Sequence, residues 1–408
     1  MKFLISAGEA SSDLYGAQLI VALRRRARKD DEPLEFMGVG GECMRAAGCD
    51  TVVDSRHLAV VGMTEIVGHL PKIYSEFRKL LRVVDEAKTK PAVAVVIDSP
   101  AFNFRVAREL HARGIPVIYF VAPQLWAWRE YRVKRIQRWI RKVLCIFPFE
   151  EAFYRKYGVD VEYVGHPLAD MPKPQVSREQ YAQENGLDPA RTWIALLPGS
   201  RRKEVRAHLA GMMEAAALLQ NQSAKYQFLF PIASSLDMGW FRGVMAQTEF
   251  ASRNPELMTA TMIPVKNAAT ALLHTRAAVV TSGTATVEAA LMGTPFVAVY
   301  RLSPLTFFAA KRLVKVPHVA MPNLIAGRQI IPELLQDEFT PENVAKHLHP
   351  LIDDGEPRRQ MLADLTRVQA ALHREGKKPA IESAADAIMK SIGTQHSARD
   401  RDIDSMAK

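Results

Sequence analysis

The stretch VVTSGTATVEAALMGTPFVAVY, residues 279–300, combines a strand, a turn, a helix and a second strand in one uninterrupted run. Its β-branched start predicts a buried strand that ends at Thr281. The small residues 282–284 predict a turn, and the helix that follows should end near Met292, because Gly293 is a typical helix stop. A strand, a helix and a second strand in this order form the repeating unit of a parallel α/β sheet.

The turn at 282–284 also has the chemistry of a ligand site. Ser282, Gly283 and Thr284 let a ligand approach the backbone closely, and the start of a helix favours an anion such as a diphosphate. The turn lacks the lysine of a Walker loop and the GxGxxG fingerprint of a dinucleotide site. Glu288 lies one helical turn after Thr284, on the same face, where a carboxylate can accept hydrogen bonds from ribose hydroxyls. A capped helix with a solvated glutamate explains this stretch equally well.

The rest of the chain repeats the alternation of apolar runs and helical patterns, which predicts parallel sheets covered by helices on both faces. Ligands of such sheets bind beyond the carboxyl ends of the strands, so the residues there are the site candidates. Strands are predicted at Lys2–Ser6, Val93–Ile97, Val117–Val121, Val143–Phe147, Trp193–Leu197, Gln227–Pro231, Ala277–Thr281 and Phe296–Tyr300. Amphipathic helices are predicted at Asp13–Arg26, Phe102–Arg113 and Glu204–Gln220.

A chain of 408 residues is too long for one ordinary core and predicts two domains. The polar segment 171–192, with three prolines and no strand pattern, is interpreted as the linker between them. We therefore expect a domain at 1–180, a second at 181–375, and a C-terminal helix with a tail at 376–408. The tail after about residue 393 is polar and is expected to be disordered.

Composition narrows the classes of function. With 48% hydrophobic and 24% charged residues the chain is typical of a globular protein. Its net charge of +10 indicates an anionic partner: nucleic acid, an anionic membrane surface or a phosphorylated substrate, among which charge cannot choose. Three cysteines without a CxxC pair favour a reducing compartment and no zinc site. The first apolar run ends before Glu9 and is too short for a signal peptide. No apolar run approaches the length of about 20 residues that a membrane span needs.

The strand end in WIALLPGSRRKEVRAH, residues 193–208, indicates a second anion site. The turn contains Ser200, and Arg201 follows where a leaving diphosphate needs positive charge. Arginine and lysine at a helix start oppose the helix dipole, and a bound anion would remove that conflict. The alternative is a surface loop before a basic helix.

The strand in VVIDSPAFNF, residues 95–104, ends on Asp98, a suitable place for a general base. Ser99 followed by Pro100 resembles a helix cap and first helical residue, which would leave Asp98 for chemistry. In the alternative, Asp98 itself caps the helix. The first strand end brings Glu9 to the same edge, while Ser12 or Asp13 is expected to cap the helix that follows.

Two basic stretches suggest contact with an anionic membrane surface, WAWREYRVKRIQRWIRKV (126–143) and RLSPLTFFAAKRLVKV (301–316). The first places Val133, Ile136, Ile140 and Val143 on one predicted helical face, with cations over most of the rest. The apolar segment 58–74 adds to this expectation. In the alternative, these are ordinary surface helices with solvated charges. The residues expected at the membrane are Arg132, Arg135, Phe307, Phe308, Lys311 and Arg312.

Several sequence blocks together resemble the lipid-A-disaccharide synthases. The resemblance runs in order from about residue 3 to residue 340 and is specific, because these blocks rarely occur together elsewhere. One position departs from it: the family usually has GEASGD, and this chain has Ser12 in place of the glycine. The blocks are GEASSD, IDSPAFNF, QLWAWR, FPFEEAFY, VGHPLAD, LLPGSR with Glu204, SGTATVEAAL, TPFVAVYR, MPNLIAGR and PELLQ.

The resemblance implies a GT-B glycosyltransferase, with two Rossmann-like domains whose parallel sheets face each other across a cleft. Such an enzyme joins UDP-2,3-diacylglucosamine to 2,3-diacylglucosamine 1-phosphate, and it releases UDP and the β(1→6) disaccharide of lipid A biosynthesis. The donor groups named above fall in the C-terminal half, and Asp98 and Glu9 fall on the acceptor side. The family pattern adds Asn323 and Arg328 near the donor, which sequence chemistry alone would not have chosen.

The mechanism expected from these assignments is a single inverting displacement. Asp98, or else Glu9, takes the proton of the acceptor 6-hydroxyl, while Arg201 and the helix start at 283–284 stabilise the departing UDP. No metal or cofactor is required. The substrates, an anionic membrane surface and no nucleic acid are the expected partners, a homodimer is left open, and the expected location is the cytoplasmic face of the inner membrane. The alternatives are a UDP-sugar 2-epimerase and a basic nucleic-acid-binding protein, although no binding module for the latter is recognisable.

Overall fold

A computed structural model describes residues 1–27, 33–58, 63–303, 307, 316–374 and 376–392, with the backbone alone for 63–70. The chain divides into two compact units. Unit 1 contains Met1–Asp170 and the chain from Leu372 onward, and unit 2 contains Met171–Ala371. Each unit is built on one parallel sheet.

Unit 1 has a seven-stranded sheet with the order β3-β2-β1-β4-β5-β6-β7, in which all neighbouring strands are parallel. The central strands are continuous apolar runs because helices cover both faces of a parallel sheet. Every residue of β4, for example, is buried. The strands are β1 Lys2–Ala7, β2 Glu35–Gly40, β3 Asp50–Asp54, β4 Val93–Ile97, β5 Val117–Phe120, β6 Lys142–Cys145 and β7 Val161–Tyr163.

The helices of unit 1 pack their apolar sides on this sheet. The core contains the Phe104 and Tyr119 rings, which meet edge to face at 5.9 Å, together with Leu4, Val96 and Ile136. The helices are α1 Ala10–Arg24, α2 Glu42–Ala46, α3 Met63–Glu86, α4 Pro100–Ala112, α5 Val133–Trp139 and α6 Pro148–Lys156.

Unit 2 has a six-stranded parallel sheet with the order β10-β9-β8-β11-β12-β13. Its strands are β8 Thr192–Leu197, β9 Tyr226–Pro231, β10 Met262–Val265, β11 Ala277–Thr281, β12 Phe296–Tyr300 and β13 Glu333–Leu335. Its helices are α7 Arg178–Asn185, α8 Arg202–Gln222, α9 Met238–Ala246, α10 Glu249–Arg253, α11 Pro255–Thr261, α12 Ala268–His274, α13 Thr284–Met292, α14 Met321–Ala326, α15 Pro341–Ile352 and α16 Glu356–His373.

The interpretation of 171–192 as a linker is wrong, because the segment belongs to unit 2 and its centre is a packed helix. Residues 178–185 form α7, and Tyr181 is 1% exposed in a small core with Trp193. The Tyr181 hydroxyl donates to the Lys266 carbonyl at 2.5 Å, and the Arg178 guanidinium lies over the Trp193 ring at 3.6 Å. Because this polar helix is held by only a few side-chain contacts, its apolar residues do not recur at helical spacing. The sequence pattern therefore does not distinguish it from a linker.

The chain after α16 returns to unit 1. A helix over 380–392, here α17, is tied to the chain just after α1: Arg26 Nε donates to Asp386 Oδ1 at 2.6 Å, and Arg26 Nη2 donates to the Glu382 carbonyl at 2.7 Å. The Ala380 amide also donates to Asp170 Oδ2 at 2.5 Å. These contacts make α17 part of unit 1, whereas the sequence analysis placed it in a separate segment. Across the residues that the structure describes, no helix is both long and apolar enough to cross a bilayer.

Candidate functional site

Each sheet has one point at which the strand order reverses, and the candidate residues lie there. In unit 2 this point is between β8 and β11, which pair directly, with Leu197 opposite Val280. In unit 1 it is between β1 and β4, with Ala7 opposite Ile97. The loops that follow the two strands at this point run in opposite directions, so a crevice forms between them. In doubly wound sheets, ligands usually bind in this crevice.

The crevice of unit 2 is a cavity of about 890 Å³. Six of the eight residues predicted to bind the UDP-sugar line it: Ser200, Arg201, Ser282, Gly283, Thr284 and Glu288. The sequence analysis did not select other wall residues, among them Ser234, Asp237, Lys266, Asn267 and Tyr300. A cavity of this size accommodates a nucleotide sugar, since small-molecule sites typically measure about 300–1,000 Å³.

The turn after β8 is organised by Glu204, in the first turn of α8. Its Oε2 accepts from the Ser200 amide at 2.9 Å and from the Arg201 amide at 3.2 Å. Gly199 has φ +127°, and a Cβ there would lie 2.5 Å from the Glu204 Cβ, so glycine is required at this position. The basic start of α8 is therefore compensated by a carboxylate of the chain itself, so the helix dipole alone is no argument for a bound anion there.

Arg201 remains accessible to a ligand. Its side chain is 67% exposed, and its Nη1 lies 3.4 Å from Glu204 Oε1. An exposed pair of this kind contributes about 0–1 kcal/mol, so a diphosphate can compete for the guanidinium at little cost. Asn267, another residue of the cavity wall, has φ +58° and precedes α12 without capping it through its side chain, a strained conformation of the type found at binding sites.

His208 connects the β8 turn to the end of β12. Its Nε2 accepts from the Arg301 amide at 2.9 Å, so the proton is on Nδ1, which lies 2.7 Å from the Glu204 carbonyl and 3.1 Å from that of Pro198. Burial lowers the pKa of His208 and keeps the ring neutral. The ring stacks on Tyr300 at 5.8 Å, which makes it a structural support for the cavity wall.

The turn after β11 agrees with its predicted geometry. Gly283 has φ +150° and precedes α13, whose first amides lack intrahelical acceptors as in any helix. The Ser282 hydroxyl donates to the Val319 carbonyl at 3.2 Å. Thr281 is buried at the cavity wall, and its Oγ1 has no hydrogen-bond partner among the described atoms. Because buried hydroxyls are nearly always paired, Thr281 is a candidate ligand contact that the sequence analysis assigned only to the strand.

Glu288 is half-buried at the cavity wall, which favours a cavity residue over a fully solvated helix residue. It lines the cavity one turn into α13, and burial raises the pKa of its carboxyl above the ordinary value of 4.5. A buried carboxylate needs hydrogen-bond donors when it ionises. Ligand hydroxyls are suitable donors.

Asn323 and Arg328 do not line this cavity. Asn323 is fully buried; its Oδ1 accepts from the amides of Ile330 and Ile331, and its Nδ2 donates to Glu333 Oε1 at 2.7 Å. Arg328 Nη2 donates to Asp364 Oδ1 at 2.5 Å. Asn323 thus holds the chain around β13 and Arg328 is paired with α16, and their expected place near the donor stays a prediction.

The crevice of unit 1 contains Glu9 and Asp98 at the ends of β1 and β4. Glu9 is exposed at the start of α1 and forms no capping bond with its side chain. Asp98 and Ser99 have φ values of +49° and +46°, which cost roughly 1–3 kcal/mol each in residues other than glycine. Pro100 begins α4 as predicted, but the Ser99 side chain makes no capping bond, and its buried Oγ is without a partner among the described atoms.

Asp13 has a different role from the one expected. It lies inside α1, and its carboxylate accepts from the amides of Gly41, Cys43 and Met44 at 2.6–3.1 Å, so it caps α2 instead of its own helix. Ser12, at the position where the resemblance expects glycine, is 1% exposed, and its Oγ is unpaired among the described atoms. Neither residue caps α1.

The basic stretch 126–143 is only partly the amphipathic helix expected. Helix α5 ends at Trp139, Val133 and Ile136 are buried in the core of unit 1, and Val143 belongs to β6. The predicted apolar face is therefore not available to a membrane.

Aromatic and basic groups are nevertheless exposed in this region. Tyr131 is 67% and Trp128 is 42% exposed, and the Arg129 guanidinium stacks on Trp128 at 3.8 Å. Arg135 is exposed over the Phe104 ring, and Arg132 is half-buried beside Tyr131. In the second basic stretch, Phe307 is half-buried, and Phe308, Lys311 and Arg312 lie outside the described residues. Most side chains of the apolar segment 58–74 also lie outside the described part of the chain.

Sequence comparison relates nearly the whole chain to one family. The family model described as lipid-A-disaccharide synthetase matches residues 3–388. A lipid-A-disaccharide synthase of Koribacter versatilis is 49% identical over 392 residues, which cover 96% of this chain and 98% of that protein. The corresponding protein of Acidobacterium capsulatum is 46% identical, with 91% and 92% covered, and that of Geobacter metallireducens is 38% identical, with 96% and 97% covered.

Solved structures show the same fold at much lower identity. UDP-GlcNAc 2-epimerase from Neisseria meningitidis, bound to UDP-GlcNAc, gives a TM-score of 0.63 at 12% identity, with 97% of this chain and all of that chain covered. The calicheamicin glycosyltransferase CalG4 gives 0.57 at 16% identity, with 96% and 98% covered. The fold class expected from the sequence, two Rossmann-like α/β domains of the GT-B type, is confirmed.

Proposed function

The chain belongs to the lipid-A-disaccharide synthetase family and is a glycosyltransferase, and we propose that it transfers 2,3-diacylglucosamine from its UDP derivative to 2,3-diacylglucosamine 1-phosphate. UDP leaves, and a β(1→6) disaccharide forms. The unit 2 cavity connects this assignment with particular residues, because the turn of Arg201, the start of α13 and the half-buried Glu288 all line it.

On the donor side, we propose that the diphosphate binds between Arg201 and the first amides of α13. The positive end of the helix and the guanidinium both stabilise charge as it develops on the leaving UDP. Glu288 accepts hydrogen bonds from the ribose hydroxyls. The amides of Gly283 and Thr284 and the hydroxyls of Ser200 and Thr284 complete the contacts, while Ser282 lines the wall with its hydroxyl held by the Val319 carbonyl.

On the acceptor side, we propose Asp98 as the general base. Its strained position at the switch point of the unit 1 sheet supports this assignment, because strain of this kind concentrates at functional sites. As the acceptor 6-hydroxyl oxygen forms a bond to the anomeric carbon, its proton passes to Asp98 and the bond from that carbon to the UDP oxygen breaks. The single displacement inverts the anomeric configuration. Glu9, exposed at the neighbouring strand end, is the second candidate base.

We further propose that the protein works at the cytoplasmic face of the inner membrane, bound through its surface. The net charge of +10 supports this proposal, as do the exposed Trp128, Tyr131 and Arg135 with the half-buried Arg129 beside them. Tyrosine and tryptophan suit the interface between headgroups and acyl chains, and arginine is attracted to anionic lipid. An oligomer with a second copy of the chain is compatible with this arrangement but is not required by it.

Incubation with both substrates tests the proposed reaction. The expected product, by mass spectrometry, is a tetraacyl disaccharide monophosphate formed in equal amount to UDP. A UDP-sugar 2-epimerase shares the fold, although at 12% identity, and would need no acceptor. Conversion of the UDP-sugar without the acceptor, into a product of unchanged mass, would contradict the transferase and favour the epimerase.

A further inference from the structure

A buried polar network surrounds the backbone of Asp98. The Asp98 amide donates to the Phe120 carbonyl of β5 at 3.2 Å and so continues the sheet pattern. Its carbonyl leaves that pattern and accepts from two side chains instead, Asn103 Nδ2 at 2.7 Å and the Tyr119 hydroxyl at 2.8 Å. The change of partner coincides with the left-handed conformation at Asp98 and Ser99.

Asn103 is held in one orientation. It lies in the first turns of α4 and is completely buried, and its Oδ1 accepts from the Ser6 hydroxyl of β1 at 2.7 Å. Its Nδ2 faces the carbonyls of Ile97 at 3.0 Å and Asp98 at 2.7 Å. A reversed amide would place oxygen against these carbonyl oxygens, so the donors must point toward Asp98. Asn103 thus ties β1, β4 and α4 together at the crevice.

We infer that Asn103 and Tyr119 are positioning residues for this glycosyl transfer, because together they hold the Asp98 backbone in the conformation that presents its carboxylate to the acceptor hydroxyl. The inference rests on the proposed role of Asp98 as the base. Two donors fill both lone pairs of one carbonyl, so the strained turn is fixed from two directions. A base that is displaced by about 1 Å can lose roughly 100-fold in rate, which makes such fixation valuable.

Tyr119→Phe is the most direct test, since it removes one hydroxyl and keeps the ring that packs on Phe104. We expect kcat to fall about tenfold while the KM for the UDP-sugar and the affinity for UDP, which binds in unit 2, stay within about twofold. Asn103→Ala should have a larger effect and lower kcat about 100-fold relative to wild type. Because Asn103→Ala also leaves several buried groups unpaired, its folding is checked by circular dichroism and thermal unfolding.

Tyr154→Phe is the matched control. Tyr154 is also fully buried in unit 1, and its hydroxyl also donates to one backbone carbonyl, that of Pro123 at 2.7 Å. The two variants therefore lose the same atom and a similar hydrogen bond, but only one of them touches Asp98. Tyr154→Phe should match Tyr119→Phe in stability loss and retain the kcat of the wild type. An equal loss of kcat in both variants would overturn the inference.

A double-mutant cycle separates positioning from general disruption. In an Asp98→Ala background, Tyr119→Phe should cause no further fall in the residual turnover, because no carboxylate remains to be positioned. If Tyr119→Phe lowers turnover equally in both backgrounds, the positioning role is wrong while the base assignment stands. If Asp98→Ala itself turns over normally, the base assignment is wrong, and the positioning role is overturned with it.

Discussion

Replacement of Glu288 tests the donor site most sharply. If the carboxylate accepts from the two ribose hydroxyls, Glu288→Ala removes hydrogen bonds to a charged group. Such bonds contribute about 1.5–3 kcal/mol, which corresponds to roughly 10- to 150-fold weaker binding of UDP. Glu288→Gln keeps the shape and one neutral acceptor oxygen, so its loss should be smaller. Isothermal titration calorimetry with UDP measures all three proteins.

The decisive comparison uses 2′,3′-dideoxy-UDP, which lacks both hydroxyls. Wild type should bind it much more weakly than UDP, whereas Glu288→Ala should bind the two nucleotides about equally. General damage to the cavity would weaken both nucleotides and leave their ratio unchanged. A Glu288→Ala protein that still discriminates as strongly as wild type would refute the ribose assignment.

The same residue predicts a pH dependence. Burial raises the pKa of Glu288 above its ordinary 4.5, so the free enzyme keeps this carboxyl protonated to a higher pH than an exposed one. Ribose hydroxyls donate to the ionised form, so UDP binding releases a proton and its affinity rises with pH through the raised pKa. The stability of the fold depends on pH with the opposite sign. Relative to higher pH, the raised pKa of Glu288 adds to the free energy of unfolding below pH 4.5, and this contribution is lost as the pH rises through the pKa of the folded state. Glu288→Gln, measured at the same pH values, corrects for the titration of UDP itself.

Three further predictions concern other residues. Asp98→Asn should lower turnover by about 100-fold or more with unchanged UDP affinity, as expected for a positioned base, and steady-state rates within tenfold of wild type would contradict it. Asn323→Ala should lower the melting temperature, because each backbone amide that it leaves unpaired costs about 1–3 kcal/mol, and it should leave the affinity for UDP unchanged. Weaker UDP binding at unchanged stability would instead place Asn323 in the donor site. The double variant Tyr131→Ser, Arg135→Glu should sediment less with anionic vesicles than wild type. High salt should release the wild type, because charges are screened within about 10 Å at 0.1 M ionic strength. A double variant that sediments like wild type would exclude the surface around Tyr131 and Arg135 as the membrane contact.

The strand ends could be predicted from the sequence because their determinants are local. A β-branched run followed by small residues specifies where a strand stops, and parallel pairing then brings those stops to one edge. This is why the sequence predicts Ser200, Ser282 and Glu288 together at the edge where the cavity lies. Lys266 and Asn267 were missed because β10 has only four residues and includes Pro264, which masks its strand pattern.

Contacts between distant segments were not predictable in this way. Asp13 looked like a cap of its own helix, but it caps α2, about 30 residues later. Asn103 is a polar residue on the buried side of α4, between Phe102 and Phe104, and that position was the only sign of its role. A buried polar residue amid aromatic neighbours indicates that a partner exists, but it does not indicate which backbone group the partner is.

The position of Glu204 limits how the donor site can work. Its carboxylate already accepts from the Ser200 and Arg201 amides, the groups that a diphosphate would otherwise find at the start of α8. A diphosphate placed there would also meet the negative charge of Glu204. The start of α13 has no such carboxylate in its first turn. The diphosphate charge is therefore best met by the α13 amides and the exposed guanidinium of Arg201, while Glu204 fixes the turn from which that guanidinium extends.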